Sequence, residues 1–227
     1  MSILSIRIED RVKEKFPEIA LAYTIVEGVQ VKATEPEKVL FMRKIEEEMR
    51  SKYNIDELKG NPLIRAYRDF YWRIEIDPTK QRPSSEALLR RVLRGRKFPL
   101  INNVVDAGNL ASLKTLIPIG LYDLDKLLPP LVLRFAKEGE VFQPIGGKTE
   151  VLTENQIVLA DAEKIVHIFP HRDSIQTCIR ENTRNVLVVA CGVPKVPSNL
   201  LKEAAKITSK YIVMFAGGKF GEVFLVT

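Results

Sequence analysis

Two clusters of polar side chains in otherwise apolar stretches have the residue types needed for acid–base or water-positioning chemistry. The first cluster consists of amides and carboxylates: Asn102, Asn103, Asp106, Asn109 and Asp123. The second cluster follows a predicted strand: His171, Arg172, Asp173, Ser174 and Thr177. Such groups can hold a water or a substrate, but when buried they also brace turns and cap helices. The sequence leaves both interpretations open for each cluster.

Several motifs with known chemistry are incomplete in this chain. The run Gly147-Lys148-Thr149 resembles the end of a phosphate-binding loop, but Phe142 stands where that loop needs its first glycine. No asparagine follows His171-Arg172-Asp173 at the spacing of a kinase catalytic loop. His167 and His171 are separated by Pro170, so they cannot share a helix face as a zinc-binding pair would. We therefore expect no metal site and no cofactor.

Composition excludes several classes of protein. The chain has 227 residues, 45% hydrophobic and 28% charged, which are values of a globular protein. No apolar run approaches the ~18 residues that span a bilayer, and the acidic pair in MSILSIRIED argues against a secretion signal. The two cysteines, Cys178 and Cys191, are too few for a four-thiolate zinc site and are expected to stay reduced in the cytoplasm.

The net charge of +6 is concentrated in one segment. Between positions 80 and 97 a single acid, Glu86, stands among seven bases: Lys80, Arg82, Arg90, Arg91, Arg94, Arg96 and Lys97. The other 209 residues hold 28 basic and 28 acidic side chains, from 35 − 7 and 29 − 1. A basic cluster on a neutral chain is typical of a phosphate-bearing partner, although a solvated helix face fits the charge equally well.

The elements that must position these residues follow from hydrophobic periodicity and from turn residues. Helices are predicted to start at Pro36, at Pro62 and at Pro83, where a serine would cap the helix, and to span Asn102–Leu116 and Ser198–Lys210. Strands are predicted at Ile3–Ile8, within Glu18–Val31, and at Leu131–Ala136, Gln156–Ala160, Lys164–Phe169, Asn185–Cys191, Tyr211–Phe215 and Glu222–Val226. The last two strands would form a hairpin around Gly217–Gly221. Helices in the first half and strands in the second indicate an α+β fold in one domain, residues 1–227.

The order of several sequence blocks resembles a known family. The blocks are Asn103–Asn109 (NVVDAGN), Pro118–Leu127, Gly146–Gly147, Ile157–Asp161 and Asn182–Leu187. They are similar to the B3/B4 domain, the editing domain of the phenylalanyl-tRNA synthetase β subunit. The resemblance covers about Asn102 to Cys191, within a family-like core of residues 78–191. Residues 1–77 match more weakly, and residues 192–227 would add a helix and the hairpin.

The resemblance implies a fold, a partner and a reaction. The fold would consist of layered sheets with helices packed on one side. The partner would be the aminoacylated end of tRNA, and the reaction hydrolysis of the ester of a misacylated tRNA. A site can hydrolyse such an ester by positioning a water, without a nucleophilic side chain. The run RPSSEALLRR at Arg82–Arg91 is similar to free-standing members of the family. The tRNA phosphates would then meet the basic helix at Arg82, Arg90, Arg91 and Arg94.

The chain departs from the family at three positions of the editing pocket. The family has a threonine, a histidine and a glutamate where this chain has Gly108, Gly120 and Val189. These replacements predict a pocket that is larger and less polar, near Asn103, Asp106 and Asn109 and the loop His171–Thr177. One hypothesis is therefore an enzyme that edits tRNA in trans. The alternatives are a non-catalytic module that binds tRNA or an amino-acid-like ligand, and a small-molecule enzyme on the same fold.

Overall fold

The structure is a computed structural model that describes residues 4–227. Within them the α-helices are Asp10–Lys15 (α1), Pro36–Lys52 (α2), Pro62–Arg73 (α3), Ser84–Leu93 (α4), Asn103–Thr115 (α5) and Ser198–Ala216 (α6). The longer strands are Ile6–Ile8 (β1), Ala20–Glu27 (β2), Ile119–Asp123 (β3), Leu131–Phe135 (β4), Ile157–Ala160 (β7), Ile165–Ile168 (β8) and Asn185–Gly192 (β10). The short strands are Val141–Phe142 (β5), Glu150–Val151 (β6), Arg172–Asp173 (β9), Lys219–Phe220 (β11) and Phe224–Val226 (β12).

Two mixed or antiparallel sheets form separate layers. The first has the order β11-β2-β10-β3, with β12 also paired to β2, and the second has the order β1-β4-β7-β8-β9. β1 and β4 run parallel, and the other neighbours in both sheets run antiparallel. The α+β class predicted from the sequence, with mixed and antiparallel sheets, is confirmed. The helices are not all on one side: α1 and α3 pack with the second sheet, whereas α2, α4 and α5 pack on the other face of the first sheet.

Strand β10 lies inside the first sheet, between β2 and β3. Its residues pair with β2 on one side and β3 on the other, and all but the first are buried. Side chains alternate across a strand, so neighbouring β3 residues face different layers. Leu121 packs with the helices α2, α4 and α5, whereas Tyr122 packs towards the second sheet. The first sheet therefore separates two chemically distinct regions.

The predicted C-terminal hairpin is wrong. Tyr211–Phe215 forms the last turns of α6 rather than a strand, because Ile212, Phe215 and Ala216 continue the buried face of that helix. Gly217, with φ of 75°, ends the helix in a conformation that favours glycine. β11 and β12 then each pair with β2 and not with one another.

Other predicted elements are confirmed or corrected in detail. The helices at Pro36, Pro62 and Asn102 and the strands at Leu131, Gln156, Lys164 and Asn185 are present within a few residues of their predicted limits. Helix α4 begins as predicted, but no serine caps it: its N-cap residue is Pro83, which has no side-chain acceptor. β3 was not predicted. Ile3, in the first predicted strand, lies outside the described residues.

Candidate functional site

Helix α4, the segments before and after it, and α5 line an open groove of about 520 Å³, which we call the basic groove. Eleven residues line it, six of them cationic and none acidic: Lys80, Arg82, Ser84, Ala87, Leu88, Arg90, Arg91, Arg94, Arg96, Pro99 and Asn109. The helical repeat places the cations opposite the buried residues Leu89 and Val92. Gly95, with φ of 66°, ends α4 and turns the chain so that Arg96 also lines the groove.

The one acid of the basic segment is buried beneath the groove. Glu86 is 1% exposed, and its carboxylate accepts from Nε of Arg68 at 3.0 Å and from Nε of Arg90 at 2.6 Å. The Arg90 side chain is only 12% exposed. Arg90 shares the Glu86 carboxylate with Arg68, so its side chain holds the helix in place and is less available to an anion.

The remaining cations of the groove differ in whether a protein acceptor already binds their side chains. Nε of Arg91 donates to the carbonyl of Lys97 at 2.5 Å, which anchors the loop after α4. Within residues 4–227, no acceptor pairs with the side chains of four exposed groove cations: Lys80, Arg82, Arg94 and Arg96. Lys80 and Arg96 belong to the basic segment of the sequence, but they were not among the four residues predicted to contact tRNA. The backbone amide of Arg96 donates to the carbonyl of Arg91 at 3.1 Å, which holds Arg96 beside the end of α4.

Asn109 connects the family-like block to the groove. It lies on α5 and lines the groove together with the α4 arginines. No hydrogen bond of its side-chain amide is present in the described part of the chain, and the residue is half-buried. The amide is therefore free to hold a water or a substrate carbonyl at the edge of the positive surface.

The other polar residues of the first cluster are used by the fold. The Asn102 side chain caps α5 by accepting from the backbone amide of Val105. The Asp106 carboxylate accepts from the backbone amide of Ile101 at 2.8 Å and from the Thr34 hydroxyl at 2.5 Å. Burial raises the pKa of the Asp106 carboxyl.

The side chains of Asn103 and Asp123 bond to segments that are distant in the sequence. The Asn103 amide bonds to the backbone of Gln30, Lys32 and Phe215. The Asp123 carboxylate accepts from the Thr183 hydroxyl. These contacts tie α5 and β3 to neighbouring segments.

The second cluster lies on the opposite side of the first sheet. Oδ1 of Asp173 accepts from the Tyr122 hydroxyl at 3.0 Å and lies 2.8 Å from Nδ1 of His167. Nε2 of His167 lies 3.9 Å from Sγ of Cys191. This Cys–His–Asp row comes from three separate strands, so sequence spacing could not reveal it.

The row is not built for nucleophilic attack. Cys191 is 1% exposed, and burial raises the pKa of its thiol far above neutrality. A thiol must ionise and meet its substrate in order to react. Cys191 and Cys178 are both free. We interpret the row as a polar link between the two sheets.

Neighbouring side chains surround the three positions that depart from the family. A Cβ atom on Gly108 would lie 2.5 Å from Cδ1 of Leu121, and one on Gly120 would overlap the Tyr122 hydroxyl. Val189 is buried directly opposite Gly120 in the β10–β3 pair. The side chains of Leu121 and Tyr122 in β3 therefore occupy the space next to the two glycines.

The rest of the second cluster is divided between packing and surface contacts. Arg172 pairs with Glu150, and the Ser174 hydroxyl accepts from the amide of Gln176. The hydroxyl of Thr177 and Nδ1 of His171 are buried without a partner in the described chain. The His171 ring lies 6.0 Å from that of Tyr71. The structure therefore does not bring His171–Thr177 together with Asn109.

We expect His171 to make stability sensitive to acid. Burial, as the largest cause, lowers the pKa of His171 to about 4, whereas the imidazole of an unfolded chain titrates near 6.5. Between these pH values the unfolded chain binds more protons, so the folded state loses stability as the pH falls, by roughly 2–3 kcal/mol. Urea unfolding of His171→Gln should show a shallower loss than the original protein between pH 6.5 and 4. Parallel profiles would contradict this assignment.

No group of three or more His, Cys, Asp or Glu side chains in residues 4–227 is arranged to hold a metal ion. No described helix combines the length and the apolar composition needed to cross a membrane.

Comparisons with known proteins agree with the sequence resemblance. A family model, B3/4 domain, matches residues 66–217. Phenylalanine–tRNA ligase β subunits are similar: that of Carboxydothermus hydrogenoformans is 31% identical over 138 residues, 60% of this chain and 17% of the relative. That of Aquifex aeolicus is 34% identical over 88 residues, 39% of this chain and 11% of the relative. The chain thus spans less than a fifth of these relatives.

The fold has a solved counterpart. An N-terminal fragment of the phenylalanyl-tRNA synthetase β subunit from Pyrococcus horikoshii superposes with a TM-score of 0.52 over 97% of this chain and 51% of the fragment, at 16% identity. The likeness at this identity concerns the fold alone. Because the family model covers most of the chain, including α4, α5 and β10, the chain belongs to the B3/4 domain family.

Proposed function

We propose that this protein binds tRNA in the basic groove and hydrolyses, in trans, the ester of a misacylated tRNA. The observation that carries the proposal is the meeting of two features in one groove: six cations without an acid, and Asn109 from the block that resembles the editing family. The matched relatives are subunits of an enzyme that acts on tRNA, which gives the anionic partner its class. The cytoplasm, where tRNA is charged, is the expected location.

The charges of the groove favour a polyanion over a small acid. Four of its cations have no partner in the described chain, and they extend from Lys80, before α4, to Arg96, after it. A nucleic acid that neutralises several such cations releases counterions, so its affinity depends strongly on salt. Contacts of this kind position an RNA without reading its sequence.

The chemistry requires a positioned water rather than a nucleophilic side chain. The water oxygen attacks the carbonyl carbon of the ester, the bond from that carbon to the ribose oxygen breaks, and a proton passes to the ribose oxygen. The Asn109 amide can accept from the water or donate to the carbonyl. Positioning of the water relative to the ester accounts for the acceleration in such a site. The buried Cys191 takes no part.

The proposal is tested by a deacylation assay over misacylated and correctly acylated tRNAs. We expect at least one misacylated tRNA to be cleaved faster than in buffer, and Asn109→Ala to lower that rate by about tenfold or more, since positioned polar groups contribute factors of this size. The affinity of the Asn109→Ala variant for tRNA should change little. Asn199→Ala, which removes an exposed asparagine of α6, is the matched control. A folded protein that cleaves no ester above the buffer rate would refute the enzymatic proposal.

One observation favours a second candidate, a non-catalytic tRNA-binding module. Leu121 and Tyr122 occupy the space next to Gly108 and Gly120, where the family carries polar pocket residues. If hydrolysis in this family requires that pocket, the chain would retain binding alone. Salt-dependent tRNA binding without turnover in the same assay would select this candidate.

A further inference from the structure

A second cavity adjoins the basic groove. It has a volume of about 440 Å³, lies between α2 and the loop from Gly95 to Leu100, and shares Arg96 with the groove. The volume is within the range of small-molecule sites. Its apolar lining includes Leu100, which is 56% exposed, above Met42 and Phe98, which are 1% and 8% exposed. We call it the side cavity.

The charged residues of the side cavity favour an anion with an apolar body. Arg50 is already occupied: it donates to Oε2 of Glu46 and to the carbonyl of Val92, each at 3.0 Å. The lining groups that remain are three cations and one acid: Arg43, Arg96, Lys97 and Glu47. The surplus of positive charge disfavours a cationic ligand, while the apolar residues provide a surface for a flat, weakly polar group.

Glu46 adds one specific polar feature. Its Oε2 is paired with Arg50, but no donor to its Oε1 is present in the described chain. Burial, as the largest cause, raises the pKa of the Glu46 carboxyl despite the nearby Arg50. A carboxylate oxygen beside an apolar surface is a good acceptor for an uncharged N–H donor.

We propose that the side cavity binds an unpaired adenine or cytosine, each of which bears an exocyclic amino group where guanine and uracil have a carbonyl oxygen, with its phosphate at Arg96 and Lys97. The amino group donates to Oε1 of Glu46, and the ring lies against Met42, Phe98 and Leu100. A carboxylate that accepts from such an amino group discriminates between bases, because uracil presents a carbonyl oxygen there and repels it. Apolar and aromatic contact with a base adds affinity without choosing among bases.

This inference rests on the proposed function and extends it. Every tRNA ends in the single-stranded bases C, C and A, each of which has an exocyclic amino group. Because Arg96 lines both cavities, an RNA backbone in the basic groove can continue directly into the side cavity. The side cavity would then hold part of the acceptor end and fix its position relative to Asn109.

The test compares two labelled single-stranded RNA hexamers of equal charge, one made of adenine and cytosine and one of uracil. We expect the first to bind about tenfold more tightly at low salt, the factor of one good polar contact. Glu46→Gln should abolish this preference, because an amide can also donate to uracil. The matched control is Glu48→Gln, which removes an exposed carboxylate of the same helix that does not line the cavity.

A second measurement locates the ligand and does not depend on a variant. The ¹³C-methyl signal of Met42 should shift on saturation with the adenine–cytosine hexamer, while those of Met49 and Met214 stay in place. Equal affinity for the two hexamers, or an unchanged Met42 signal at saturation, would overturn this inference and leave tRNA binding in the groove intact. Failure of both hexamers to bind at low salt would overturn the inference and the proposed function together.

Discussion

Replacing Glu86 with glutamine should destabilise the protein by on the order of 3–5 kcal/mol, the range observed when one partner of a buried ion pair is removed. Glu86 is almost fully buried and joins Arg68 of α3 to Arg90 of α4. Without the negative charge of Glu86, two largely buried guanidinium groups lose the carboxylate with which they are paired. Urea unfolding measures the loss directly.

Two further variants separate this effect from a general cost of substitution. Glu48→Gln removes one partner of an exposed pair with Lys114 and should cost less than about 1 kcal/mol. Replacing Glu86, Arg68 and Arg90 together with leucine and methionines should recover most of the stability, because no unpaired buried charge remains. If Glu86→Gln lowers the free energy of unfolding by less than about 1 kcal/mol, the ion pairs of Glu86 with Arg68 and Arg90 do not stabilise the fold as expected.

Neutralising the free cations of the groove should weaken tRNA binding on the order of a hundredfold. The variant is Arg82→Gln, Arg94→Gln and Arg96→Gln together, and each lost phosphate contact is worth roughly 1 kcal/mol or more. These three side chains are exposed and have no acceptor in the described chain, so stability should change little. Filter binding or fluorescence anisotropy at fixed salt gives the affinity.

The control for this variant carries the same change of charge elsewhere. Lys202, Lys206 and Lys210 are exposed on α6 and do not line the groove. Their joint replacement with glutamine should weaken binding by much less. An equal loss in both variants would mean that only net charge matters. Arg90→Gln alone should affect affinity less than Arg94→Gln, because Glu86 already pairs with Arg90.

Local patterns were sufficient to predict most of the fold. Proline and periodic apolar residues marked α2, α3 and α4, and alternating or continuous apolar runs marked β4, β7, β8 and β10. The error at Tyr211–Phe215 has a physical cause. A β-branched and aromatic run fits a strand or a buried helix face equally well. Here Ile212 and Phe215 are buried in the core beside the first sheet as part of helix α6.

The candidate site was predicted only in part, because its decisive features depend on contacts across the chain. The basic segment was visible in the sequence, and so was the block that contains Asn109. The burial of Glu86 was not, since a lone acid among arginines looks like a surface residue. Arg68, which also pairs with Glu86, lies 18 positions away on another helix. The filling of the space at Gly120 by Tyr122 likewise depends on side-chain direction within β3.

The salt dependence of tRNA binding tests most directly whether RNA phosphates bind in the basic groove. For the original protein, the logarithm of the affinity should fall linearly with the logarithm of the salt concentration, with a slope of about −3 to −5 for four to six neutralised phosphates. The variant lacking Arg82, Arg94 and Arg96 should have a slope smaller in magnitude by about 2 to 3. A slope near zero, or the same slope in both proteins, would contradict binding in the groove.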